Sequence, residues 1–149
     1  MEPRDFLIGG GIVGALGVGC CLFIAIPNFL EMQVRAKRAE VPANISGLKT
    51  AEMAYAAAFD EFVDCTVPTP RPVEALDDEL YAWGQQRCFD ELGWMPDGDV
   101  RGTYWIDVNA EGTDFTVHGM ADLDEDGVPC HYTATRSINA TAVTDPDVY

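Results

Sequence analysis

The sequence predicts an α+β fold in which a long N-terminal helix packs on an antiparallel β-meander. Three observations support this prediction. Residues 6–26 form a run of 21 residues without a charged side chain. Apolar residues then recur at helical steps up to residue 62, and beyond residue 99 apolar and polar residues alternate with a period of two. At 149 residues, the chain is long enough to bury the core of one globular domain.

The apolar run is long enough to cross a membrane as a helix. At about 1.5 Å per residue, its length is roughly 32 Å, close to the ~30 Å hydrocarbon thickness of a bilayer. A cleaved secretory signal has a shorter apolar core and a small-residue cleavage site, which this run lacks. We therefore expect a retained span at residues 6–26 behind a short leader or cytoplasmic tail at residues 1–5.

Glycines in the span indicate a helix-packing face. Gly10 and Gly14 are four residues apart, a spacing that lets helix backbones approach closely in lipid. Glycine is also common in membrane helices generally, so the motif is weak by itself. Pro27 follows the span and removes a backbone hydrogen bond, so we expect the helix to bend there.

Residues 27–62 are predicted to continue the helix as an amphipathic segment. Pro42 is expected to bend it again. Its predicted buried face consists of Ile45, Leu48, Ala51, Tyr55, Phe59 and Phe62, and its predicted polar face of Asn44, Lys49 and Glu52.

The remaining residues, 63–149, are predicted to form a globular head. Residues 63–99 have the prolines and acidic residues of a loop region. Cys65 and Cys88 lie in this irregular chain, and a disulfide between them would stabilise the head by about 3 kcal/mol. Because the head has an odd number of cysteines, Cys130 is the alternative partner for either one.

Residues 100–149 are predicted to form the meander. Alternation predicts strands at residues 101–108, 114–120 and 128–135, separated by turn clusters at residues 109–112 and 122–127. A sheet with one apolar face needs a cover, and the amphipathic helix provides it.

Several head residues have ordinary structural roles in this prediction. Trp83, Trp94 and Trp105 are expected in the core. His118 is expected to be an ordinary strand residue, and His131 cannot act on Cys130 because neighbours on a strand point to opposite faces.

The turn between the last two predicted strands is a candidate calcium site. Asp122, Asp124 and Asp126 lie at alternate positions, with a glycine next, as in the first half of a calcium-binding loop. The carbonyl of Val128 is a further candidate ligand, and calcium is the expected cofactor if the turn binds one. The twelfth position is Thr133 instead of glutamate, so a polar hairpin turn is the alternative.

The charge of the chain excludes some classes of function. The net charge is −16, and residues 60–149 contain 20 of the 25 acidic residues with only four basic ones. Nucleic acid is not an expected partner, because phosphate binding needs a clustered basic face. An enzyme is not expected either, because no acid, base and nucleophile converge in the sequence.

Several segments resemble type IV pilins, particularly those of deltaproteobacterial or myxobacterial type. The strongest resemblance is in residues 24–30 (IAIPNFL), 35–38 (RAKR) and 47–55 (GLKTAEMAY), while residues 89–96 (FDELGWMP) and 132–135 (YTAT) resemble pilin heads. The resemblance implies a homo-oligomeric helical filament with bundled N-terminal helices inside and heads outside. It also implies the pilus assembly machinery as a partner, and an inner-membrane precursor whose head lies in the periplasm or outside.

The likeness fails at the pilin processing site. Type IV prepilins have glycine before the cleavage site and glutamate at position five of the mature chain. Alignment on Pro27 makes Phe6 the first mature residue, but Asp5 precedes it and Gly10 occupies position five. Two functions therefore stay open: a subunit of a type IV pilus or related filament, or an uncleaved, membrane-anchored protein whose acidic head binds calcium or another ligand without polymerising.

Overall fold

The structure is a computed structural model that describes residues 26, 29, 31–84 and 87–149. The chain divides into two units, Met1–Val34 and Arg35–Tyr149, and the elements below are those of the second unit. Among the described residues, no helix combines the length and the apolar character needed to cross a membrane. Several predicted features lie outside the described residues: the span apart from Ile26, the helix-packing residues Gly10, Gly14 and Pro27, and the processing site at Asp5 and Phe6.

The main helix of the second unit, α1, runs over Glu40–Phe59. Residues 31–38 are also helical, and a turn at Ala39 separates them from α1. The turn has a local cause, because Pro42 has no N–H to donate to the carbonyl of Arg38. At the turn itself, the N–H of Ala39 donates to the carbonyl of Ala36 at 3.3 Å.

The end of α1 comes three residues before the predicted boundary at residue 62. Asp60 adopts a left-handed conformation (φ 60°, ψ 28°), and its N–H donates to the carbonyl of Ala56 at 2.9 Å. This is a common way for a helix to end. Phe59, predicted on the buried face, is consequently 63% exposed.

In the described residues, five strands form one antiparallel sheet. Its spatial order is the sequence order, so the sheet is a meander. The strands are β1 (Cys65–Thr69), β2 (Thr103–Val108), β3 (Phe115–Ala121), β4 (Cys130–Thr135) and β5 (Thr141–Ala142). The predicted α+β class, with a helix on an antiparallel meander, is confirmed.

Both edge strands are additions to the predicted meander. β1 lies in the region expected to be a loop and contains Pro68, which an edge strand tolerates because it needs no second ladder of hydrogen bonds. The same region also contains a short 3₁₀ helix, Val73–Ala75, and a one-turn helix α2, Arg87–Glu91. At the opposite edge, β5 has only two residues.

The core lies between α1 and the inner face of the sheet. Its most buried apolar side chains come from α1 (Val41, Ile45, Leu48) and from β2, β3 and β4 (Tyr104, Ile106, Phe115, Val117, Ala121, Cys130, Ala134). Gly119 of β3 allows the helix to sit close to the sheet. A Cβ at this position would lie 2.9 Å from Cδ1 of Ile45 and 3.0 Å from Cγ1 of Val41.

An aromatic cluster extends the core at one side. Trp83 packs against Phe89 and Trp94, with ring centroids 5.1 Å and 5.3 Å away, and Trp94 also contacts Tyr104. Trp105 does not join them, although the sequence predicted it in the core. It lies on the outer face of the sheet, where its ring stacks on His118 at 4.7 Å.

Arg71 organises the chain that follows β1. Its guanidinium donates to the carbonyl of Ala75 (3.0 Å), to the carboxylate of Asp77 (2.7 Å) and to the carbonyl of Arg101 (2.9 Å). It also lies over the ring of Tyr81, 3.6 Å from the ring centroid. The hydrogen bond from Arg71 is the main reason why the pKa of the Asp77 carboxyl lies below its usual value. This region is therefore held by polar contacts to a buried cation as well as by its apolar side chains.

Candidate functional site

The acidic turn between β3 and β4 brings its three aspartates together. One carboxylate oxygen from each of Asp122, Asp124 and Asp126 lies within 4.8 Å of the others. The turn is folded by left-handed conformations at Glu125 (φ 57°) and Gly127 (φ 82°). Backbone groups hold two of the carboxylates, because Gly127 N–H donates to Asp122 Oδ2 at 3.0 Å and Val128 N–H donates to Asp126 Oδ1 at 2.8 Å.

The electrostatics of this turn favour a cation. Asp122 is buried, and its Oδ1 has no hydrogen-bond partner among the described residues. The pKa of Asp124 is raised, first by desolvation and then by the negative charges of Asp126 and Asp122. Converging carboxylate oxygens of this kind suit a hard cation such as Ca²⁺ better than zinc. The predicted carboxylate ligands are thus adjacent, and the role of the Val128 carbonyl stays a prediction.

A disulfide joins β1 to α2. Cys65 and Cys88 are bonded, with 5.7 Å between their Cα atoms, which is the pairing preferred from the sequence. Cys130, the alternative partner, is a buried free thiol on the inner face of the sheet. Burial raises its pKa, which keeps the thiol neutral and unreactive.

Glu52 is a buried carboxyl, although the sequence predicted it on the polar face of the helix. Its side chain is fully buried, and Oε2 accepts the N–H of Val63 at 3.2 Å. Desolvation raises its pKa to about 7; the Val63 hydrogen bond opposes this rise and the charge of Asp64 adds to it. No sequence signal identified this site, because Glu52 becomes buried only when the chain after α1 folds back over it.

The sequence is similar to that of a named protein. The chain is 28% identical over 132 residues to the "Type IV major pilin protein PilA" of Myxococcus xanthus (strain DK1622). The match covers 87% of this chain and 49% of the relative, so the chain spans about half the length of the protein it matches. No family model matches the sequence, and no solved structure matches it.

The similarity and the fold agree with each other. The matched region includes most of the helix and the head, and the head has the helix-on-meander architecture that the pilin resemblance implies. The deltaproteobacterial or myxobacterial type inferred from the motifs agrees with the source of the relative. The chain is therefore pilin-like, and the pilin it is similar to is of myxobacterial type.

Proposed function

We propose that the chain is a structural, non-enzymatic subunit of a type IV pilus or a related extracellular filament. The observation that carries the proposal is the similarity to a major pilin along 87% of the chain. The head fold supports it, because α1 enters the head and covers the inner face of the meander. In this proposal the apolar residues 6–26 anchor the chain in the inner membrane, with the head in the periplasm, and later pack with those of other copies in the filament.

Filament assembly provides the direct test. The full chain, expressed in a pilus-producing host that lacks its own major pilin, is expected in filaments sheared from the cell surface. A Gly10→Leu/Gly14→Leu variant is expected to reduce the sheared fraction, because bulky side chains prevent close helix approach. Ala15→Leu is the matched control outside the glycine pair. A chain found only in the membrane fraction, with no filaments, contradicts the proposal.

The N-terminus of the native protein distinguishes a processed subunit from a tethered one. A chain that starts at Phe6 with a methylated amine supports processing between Asp5 and Phe6. An intact Met1 on a chain that never leaves the membrane supports the membrane-anchored, non-polymerising alternative. An intact Met1 in sheared filaments indicates a subunit that assembles without cleavage.

We also propose that the acidic turn binds Ca²⁺ through Asp122, Asp124 and Asp126, with the Val128 carbonyl as a further ligand. The buried Oδ1 of Asp122 has no hydrogen-bond partner within the part of the chain that the structure describes, and a bound cation would compensate its desolvation. Ca²⁺ would join the end of β3 to the start of β4 and stabilise that edge of the head.

Calcium titration with thermal unfolding tests the turn. Millimolar Ca²⁺ is expected to raise the melting temperature of the full chain in detergent and to leave an Asp122→Asn/Asp124→Asn variant unchanged. Glu111→Gln, which removes an exposed acid from a different turn, controls for general charge screening. An equal shift in wild type and the double variant, or no shift at all, rules out this site.

A further inference from the structure

Two histidines meet on the outer face of the sheet, away from the acidic turn. His118 of β3 is paired with Thr133 of β4, and Met120 is paired with His131, so the histidines are diagonal neighbours across the two strands. Their ring nitrogens face each other, with 3.1 Å between His118 Nδ1 and His131 Nε2. Both side chains are half-buried, which leaves the pair accessible from the solvent side.

Strand β2 supplies groups that fix the His118 ring. Asp107 Oδ2 lies 3.3 Å from His118 Nε2 and also accepts the indole N–H of Trp105 at 3.1 Å. Trp105 stacks on the imidazole of His118 with an angle of 3° between the ring planes. An Nε2–H that is donated to Asp107 leaves Nδ1 of His118 with a free lone pair directed at His131.

The distance between the two nitrogens suits a shared metal ion. Imidazole nitrogens bind Zn²⁺ at about 2.0–2.1 Å, so two such ligands in a tetrahedral site lie roughly 3.3 Å apart. The observed 3.1 Å separation therefore needs an opening of only a few tenths of an ångström. A carboxylate that accepts the other ring N–H of a ligating histidine is also a regular feature of such sites.

The protonation states agree with this geometry. Desolvation lowers the pKa of both His118 and His131 from the ordinary histidine value. The negative charge of Asp107 opposes this shift at His118, whereas the neighbouring His118 adds to the shift at His131. Metal binding requires neutral imidazoles. The pair is therefore neutral near pH 7. A metal ion bound between the rings requires the proton on His131 Nε2 to move to Nδ1 of the same ring, a change of tautomer that leaves both imidazoles neutral.

We infer that His118 and His131 form a binding site for a divalent transition metal, Zn²⁺ or Cu²⁺, with Asp107 as the positioning residue and water in the remaining coordination positions. Imidazole ligands select these ions over Ca²⁺, which the oxygen-only turn at Asp122 suits. The inference concerns the head alone and is independent of whether the chain polymerises.

The test uses the full chain in detergent with two metals and two readouts. Zn²⁺ is expected to raise the melting temperature of the wild type, whereas His118→Gln and His131→Gln are expected to lose this shift. At substoichiometric Cu²⁺, electron paramagnetic resonance is expected to show nitrogen coupling from two imidazoles in the wild type. The acidic-turn variant Asp124→Asn/Asp126→Asn, as the matched control, keeps both signals.

Asp107→Asn tests the positioning role. It is expected to weaken Cu²⁺ binding by about 10- to 100-fold while the two-nitrogen resonance pattern persists at saturation. Zn²⁺ shifts that survive in both histidine variants, or a Cu²⁺ spectrum with only oxygen ligands in the wild type, overturn the inference. Because Gln preserves the size and polarity of His at these outer-face positions, metal-free melting temperatures near that of the wild type verify that the variants fold.

Discussion

At the scale of single residues, Glu52 is the main departure from a simple amphipathic helix. Its carboxyl sits beneath Val63, close to where the chain leaves α1, and Oε1 has no hydrogen-bond partner among the described residues. Burial favours the neutral acid and raises the pKa to about 7. The residue therefore couples the stability of the head to pH near neutrality.

We predict that Glu52 makes the head less stable as pH rises from about 4.5 to about 7. In that interval the unfolded carboxyl, with an ordinary value of 4.5, loses its proton while the folded one retains it. Below this interval both states are protonated, and above it both are ionised, so the contribution is constant on either side. The free energy of unfolding is expected to fall by up to about 3 kcal/mol across the interval.

Urea unfolding of the full chain in detergent at about pH 5 and about pH 8 measures this contribution. Glu52→Gln cannot titrate, so its free energy of unfolding is expected to change less between the two pH values than that of the wild type. Glu111→Gln, the exposed control, is expected to keep the wild-type difference. Equal pH dependence in wild type and Glu52→Gln contradicts the prediction.

At the scale of elements, the packing of α1 on β3 depends on a missing side chain. Gly119 faces α1 directly, and the side chains of Ile45, Val41 and Tyr104 fill the space where its Cβ would lie. These three side chains are fully or almost fully buried, so they have little freedom to move away.

We expect Gly119→Ala to destabilise the head by about 1–3 kcal/mol, because the new methyl overpacks the helix–sheet interface. Chemical unfolding of the variant measures the loss. Thr116→Ala on the outer face of the same strand is the control, with an expected effect below about 1 kcal/mol. If both substitutions have the same small effect, the interface has more space than the structure indicates.

The sequence predicted the elements whose signals are local. Periodicity predicted α1 and the three central strands. The proximity of the three carboxylates in the Asp-rich turn was also predictable, because they belong to one short loop. β1 was not predicted, because Pro68 and a disulfide cysteine are typical of loops. The His118–His131 pair was also missed, since its formation depends on the register of β3 and β4, which alternation alone does not specify.

At the scale of the whole molecule, part of the basic charge lies inside the head. Arg38 and Arg71 are among the nine basic residues, and both are buried. Arg38 donates to the carbonyls of Pro146 and Asp145. Arg71 donates to groups within its own loop and to the carbonyl of Arg101. Lys37 pairs with Asp78. Basic charge thus stabilises the head internally, while acidic side chains dominate its outside and make it sensitive to cations.

The disulfide also acts on the whole head, because it connects the sheet edge to the chain between β1 and β2. We predict that Cys65→Ser/Cys88→Ser lowers the free energy of unfolding by about 3 kcal/mol in the chain-entropy model. Dithiothreitol provides the control. It is expected to destabilise the wild type, in which it reduces the disulfide, and to leave the double variant unaffected.

Peptide mapping without reduction checks the same assignment. A peptide linking Cys65 to Cys88 is expected, and Cys130 is expected to react with an alkylating agent only after unfolding, because its thiol is buried. A linked peptide that contains Cys130 contradicts the assignment.

The two edges of the meander limit how heads can meet. β1 carries a proline that lacks an N–H, and β5 offers only two residues of backbone. Neither edge is a good template for a further strand, because sheet extension needs a continuous row of free donors and acceptors. In the proposed filament, we therefore expect neighbouring heads to associate through side-chain surfaces rather than through a shared β-ladder.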